Sequence, residues 1–130
     1  MICTYSQRRF EQRIISGIKR TTIRRDETNR WKPGRIMHCW MHNPRNVSKN
    51  PYCFAVGRVR YTEDIQILPE ANTVIIASTV TGSKLYFGST DTLNEIAVLD
   101  GFDDWEDMKA FFKTDFTGKR IHFEVHTILL

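Results

Sequence analysis

The chain has 130 residues, 41% hydrophobic and 26% charged, the balance of one ordinary globular domain with a core of its own. No apolar run approaches the roughly 18 residues of a membrane span, no secretory leader opens the sequence, and Cys3, Cys39 and Cys53 cannot all pair within one chain, so a reduced, cytoplasmic protein is expected. The net charge of +4 is unevenly spread: residues 1–60 hold fourteen Lys and Arg against three Asp and Glu, whereas residues 61–130 hold five against twelve. Such asymmetry points to a basic face for phosphates beside an acidic remainder, or to two halves that neutralise each other across the fold.

In chain order, residues 1–5 suit a short edge strand. Phe10, Ile14, Ile15 and Ile18 recur at helical spacing and predict an amphipathic helix over residues 6–16, with Arg8, Arg9, Glu11, Gln12 and Arg13 on its wet side. Gly17 is placed to end that helix, because the left-handed conformation costs glycine nothing. The β-branched Thr21, Thr22 and Ile23 predict a strand, and residues 24–30 a charged loop. Lys32-Pro33-Gly34 is a turn. Residues 36–42 alternate as a strand, with Ile36, His38, Trp40 and His42 on one face and Met37, Cys39 and Met41 on the other.

Residues 43–51, rich in Asn and Pro, form a loop. The next strand covers residues 52–61, with a bulge at Gly57 where the apolar register shifts to Val59 and Tyr61. Residues 63–68 continue extended, 69–72 turn, and 73–80 with 84–87 make a hairpin. Thr92-x-x-Glu95 and Asp103-x-x-Glu106 have the form of capping boxes, opening helices through Leu99 and through about Phe112. Trp105, Met108, Phe111 and Phe112 share one stripe of the second. Residues 120–129 alternate as a last strand, with Ile121, Phe123, Val125, Thr127 and Leu129 facing in and His122 and His126 solvated outside.

The stretch richest in chemistry is residues 17–25, where cations and hydroxyls gather at a helix-to-strand junction. Gly17-x-Lys19-x-x-Thr22-x-Arg24, followed by Trp31-Lys32-Pro33-Gly34 and later by Leu99-Asp100-Gly101-Phe102, resembles the ASCH domain. The resemblance runs from Phe10 to the last strand. It implies an α+β fold over residues 1–130 as a single domain, a small PUA-like mixed β-barrel with about three short flanking helices. In some ASCH members a Lys, Thr, Glu set hydrolyses the amide of N4-acetylated cytosine nucleosides. Lys19 and Thr22 occupy the first two positions, and Asp100 stands where the glutamate would be, one methylene shorter.

The residue types fit such chemistry. A lysine buried near other cations loses proton affinity and becomes a base near neutral pH. A neighbouring hydroxyl attacks an acyl carbon, and a carboxylate holds the lysine or passes a proton. Equally, Lys19 and Asp100 make a structural ion pair. Gly101 fixes Asp100 at a helix C-terminus, where the dipole disfavours its charge and a cation such as Lys19 or Arg24 is called for. Arg20, Arg24, Arg25, Arg30, Lys32 and Arg35 form a basic rim suited to phosphate, and Trp31 adds a stacking surface or a core residue.

The metal test is negative, since His38 and His42 share one strand face and Cys39 the other. No cofactor is implied. The leading expectation is an RNA- or nucleotide-binding monomer with a basic cleft. The alternatives are a hydrolase of the same family, acting on N4-acetylcytidine or on RNA, and a regulatory adaptor whose basic face binds a protein partner.

Overall fold

The computed structural model describes residues 1–129. It is an α+β fold of seven strands and three helices: β1 (Ile2–Tyr5), α1 (Arg8–Ile15), β2 (Thr21–Arg24), β3 (Ile36–Met41), β4 (Tyr52–Leu68), β5 (Thr73–Ser78), β6 (Lys84–Phe87), α2 (Thr90–Leu99), α3 (Trp105–Phe112) and β7 (Phe116–Ile128). No helix is long and apolar enough to cross a membrane among the described residues.

The 17-residue β4 is the spine. Its first half pairs with β3 and its second half with β5, while β7 runs antiparallel along its other edge. β1 lies parallel to β3, β2 antiparallel to β7, and β6 antiparallel to β5. Residues 63–68 continue β4 without a break. The bulge expected at Gly57 is present between Val56 and Gly57, and a side chain there is impossible, because a Cβ would lie 2.3 Å from the Glu124 carbonyl oxygen. That contact lets two long strands cross closely and curl.

The curl stops short of a closed barrel, which corrects the sequence expectation. No backbone ladder joins β1 to β2 among the described residues. Instead the Arg24 guanidinium donates from Nη2 to the Thr4 carbonyl at 2.7 Å. A side chain takes the acceptor that a neighbouring strand would have used.

One apolar cluster fills the interior. It draws Met37 and Cys39 from β3, Phe54, Val59, Ile65 and Ile67 from β4, and Ile121 and Phe123 from β7. Helix α1 adds Phe10 and Ile14, α2 adds Leu93, Ile96 and Ala97, and α3 adds Trp105 and Met108. The inward alternation on β7 holds at Ile121 and Phe123 and fades beyond, since Thr127 and Leu129 are exposed where the strand outruns the core.

Both caps differ from the expected boxes by a few residues. Ser89 caps α2 by accepting from the Thr92 amide, so the helix starts before Thr92. Asp104 caps α3 by accepting from the Asp107 amide at 2.9 Å, and Asp107 returns the bond by accepting from the Asp103 amide at 2.8 Å. The reciprocal box is thus built on Asp107 rather than Glu106, with the carboxylates favoured by the helix N-terminus.

Candidate ligand-binding site

The junction after α1 is built as its sequence suggests. Gly17 takes a φ of 83° and its amide donates to Ile14, closing the helix. Lys19 then turns inward and is only 4% exposed. Its Nζ donates to the Thr21 carbonyl at 2.7 Å and to the Asp100 carbonyl at 2.5 Å, and stands 3.5 Å from Asp100 Oδ1. The rings of Phe10 and Tyr5 flank it at 5.1 and 5.6 Å, adding cation–π attraction.

Asp100 arrives from the far side as the C-cap of α2 and is likewise 4% exposed. Gly101 after it has a φ of 95° and no room for a side chain, because a Cβ would sit 2.7 Å from Lys19 Cδ and 2.9 Å from Phe10. Phe102 drops into the core. The Lys19 stem therefore lies directly over Gly101, and the glycine serves the lysine as much as the helix end.

Burial is the dominant influence on both charges. It lowers the proton affinity of Lys19, with Asp100 opposing and Arg24 adding to the shift. It raises the Asp100 carboxyl above the usual range against the pull of Lys19 and the Thr21 hydroxyl.

Thr21 is the residue the sequence reasoning missed. Its Oγ1 donates to Asp100 Oδ1 at 3.1 Å, while Thr22, on the opposite side of β2, lines the cavity beside the pair. The two-residue period of a strand was the available signal: adjacent threonines must serve different neighbours.

That cavity holds about 100 Å³ and is walled by Tyr5, Phe10, Phe102 and Phe111, with Lys19, Thr22, Arg24 and Asp100 as its polar groups. Arg24 also opens onto a second hollow of about 450 Å³ carrying Arg25 and Arg30. Its Nε is buried without a partner among the described residues, and its guanidinium lies over the Tyr5 ring at 5.0 Å. Lys32 and Arg35 line a further hollow of about 580 Å³ that shares Arg30.

The cations from Arg24 to Arg35 therefore line two adjoining hollows, the first of which Asp26 and Glu27 also line, and Arg20 is not among them. That residue donates to the Gly17 carbonyl at 3.0 Å and lies in a separate hollow with Arg60. Trp31 takes the second of its two expected roles: at 6% exposure it belongs to the core, with an edge on the Arg25–Arg30 hollow. Asp26 ties the loop down by accepting from the amides of Arg30 and Trp31 at 2.6 and 3.1 Å, which draws the indole inward.

His122 also departs from the solvated position expected of it. Its Nε2 contacts Glu63 Oε1, its ring stacks on Tyr61 at 4.0 Å, and Arg120 Nη1 stands 3.6 Å from the same carboxylate oxygen. Tyr61 opposes His122 and Glu63 opposes Arg120 across β4 and β7, a register set by bulges that alternation alone does not reveal. No group of three His, Cys, Asp or Glu residues suited to a metal is found among the described residues.

No protein-family model, curated protein or solved structure matches this chain. The functional reading rests on the site itself.

Proposed function

We propose that the chain is an ASCH-type domain that recognises RNA or a nucleotide-like ligand. One ring-sized group enters the aromatic-walled cavity, and the phosphates lie on the basic rim. The observation that carries this reading is the position of Arg24 between the cavity and the Arg25–Arg30 hollow. A cavity of about 100 Å³ admits a small planar group and excludes a folded duplex. Asp100 and Thr22 supply the acceptor and hydroxyl that read a base edge, and the phenylalanines supply the apolar walls. Outside, planar guanidinium forks suit phosphate oxygens.

Titration of a short single-stranded RNA at two salt concentrations tests the reading. Binding is expected to weaken steeply with salt, since each neutralised phosphate releases counterions. Arg24→Gln is expected to weaken binding and flatten the salt dependence. RNA that fails to bind at low salt would overturn the proposal.

One observation favours a second reading, amide hydrolysis of an N4-acetylated cytosine nucleoside to acetate and the free amine. Burial lowers the proton affinity of Lys19 beside the Thr22 hydroxyl, the direction a general base requires. Against it, two of the three Lys19 N–H donors are held by carbonyls and Asp100 Oδ1 stands 3.5 Å away, surroundings that favour the charged ammonium. Release of acetate by the wild type and not by Lys19→Ala would make the protein an enzyme. Binding without product leaves a recognition domain.

A further inference from the structure

Of the seven strands, β6 has an outer edge that nothing covers among the described residues. β3, β4, β5 and β7 have neighbours on both sides, and Arg24 bridges the gap between β1 and β2. One face of β6 is bare, with Tyr86 68% exposed, and on the other Leu85 is 61% exposed beside Phe87, which is half-buried against the core; Val80 of the preceding turn is 92% exposed. Proteins blunt free edges with charge, proline or bulges, because unpaired backbone groups invite another strand. Residues 80–89 contain no proline and a single charge, Lys84.

The backbone groups on that edge have a defined pattern. The Ser78 amide donates to the Ser83 carbonyl at 3.0 Å, which marks these residues as a hydrogen-bonded pair of the antiparallel ladder. Following the register from there, Leu85 (opposite Ile76) and Phe87 (opposite Val74) turn their backbone groups toward β5. Lys84 and Tyr86 turn theirs outward.

We propose that this edge pairs antiparallel with β6 of a second copy, about a two-fold axis at Tyr86, so that two sheets join into one. An axis perpendicular to the sheet keeps every residue on its own face, so residues two apart or identical oppose each other. With the axis at Tyr86, the two tyrosines exchange outward backbone hydrogen bonds and meet as an aromatic pair. Leu85 meets Phe87 of the second copy on the other face, a pairing of the kind that stabilises sheets. Each Lys84 lies opposite a Gly88, so no like charges oppose. An axis at Lys84 would set two ammonium groups face to face. A second copy is the occupant because the edge is self-complementary in this register and carries almost no charge for a differently charged partner to read. The ladder is short, so the dimer is a weak, concentration-dependent one.

Sedimentation of the full chain across a wide range of concentration tests this. The wild type is expected to pass from monomer to dimer as concentration rises. Tyr86→Lys, which places two cations at the axis, is expected to stay monomeric. Because Tyr86 is mostly exposed, the variant folds, and its unchanged thermal transition checks that it does. Mixing Tyr86→Lys with Tyr86→Glu is expected to restore a dimer through an opposite-charge pair. A wild type that remains monomeric throughout, or a dimer indifferent to Tyr86→Lys, overturns the proposal.

Discussion

Two clusters on the β2–β7–β4 part of the sheet use the same chemistry and reach opposite results. In one, Asp100 meets Lys19 and Thr21; in the other, Glu63 meets His122 and Arg120. Asp100 and Lys19 are each about 4% exposed, and burial wins: the carboxyl is pushed up and the ammonium down. Glu63 keeps 24% of its side chain exposed, and there the partners win. Burial alone would raise its carboxyl, but the His122 hydrogen bond and the charges of His122 and Arg120 hold it below the usual range. The lesson is that an ion pair is defined by its solvent as much as by its partner.

The largest effect is expected from breaking the buried pair on one side. Asp100→Ala leaves the Lys19 ammonium enclosed without its carboxylate, which costs roughly 3–5 kcal/mol. Replacing both residues together, as Lys19→Met with Asp100→Leu, is expected to cost far less, because two desolvated charges go at once. Urea unfolding of the single and double variants measures the difference. A double variant as unstable as Asp100→Ala would mean that the carbonyl contacts, and not the charges, hold this corner. Gly101→Ala comes next, expected to cost more than about 1 kcal/mol because it strains a left-handed residue and displaces the Lys19 stem.

How much of this was legible in the sequence follows from range. Features set by a few neighbouring residues were readable: the α1 stop at Gly17, the Pro33–Gly34 turn, the Gly57 bulge and the helix end at Gly101. So was the meeting of Lys19 with Asp100, since a carboxylate at a helix C-terminus calls for a cation. What escaped depends on strand register and on how far the sheet curls. The Glu63–His122 contact needs β4 and β7 aligned through two bulges. The hold of Asp26 on the Arg30 and Trp31 amides lies in a loop without periodicity. The open seam between β1 and β2 depends on one arginine reaching a carbonyl, a contact that no periodicity encodes.

The two carboxylates should also respond to pH with opposite signs. Glu63 has a depressed folded-state pKa, so its contribution is present above the ordinary glutamate value and is lost as pH falls through the folded one. Asp100 has a raised folded-state pKa, so its neutral form is favoured by folding. Its contribution is full below the ordinary aspartate value and is lost as pH rises toward the folded one. Comparing wild type with Glu63→Gln, the stability advantage of the wild type is expected to shrink on acidification. Comparing wild type with Asp100→Asn, it is expected to grow. Parallel slopes for the two would mean that one environment governs both groups.

The smallest effect sharpens the contrast from the solvent side. Lys119 Nζ lies 2.8 Å from Asp64 Oδ1, closer than Lys19 to the Asp100 carboxylate, yet the Asp64 side chain is 55% exposed. Distance alone would rank it the stronger pair. Water screens it, and holding two long side chains together costs entropy, so Asp64→Asn is expected to change stability by no more than about 0.5 kcal/mol. Thermal unfolding at low and high salt measures this, and the small difference should vanish at high salt. A loss comparable to that of Asp100→Ala would show that proximity, rather than burial, sets the strength of ion pairs on this sheet.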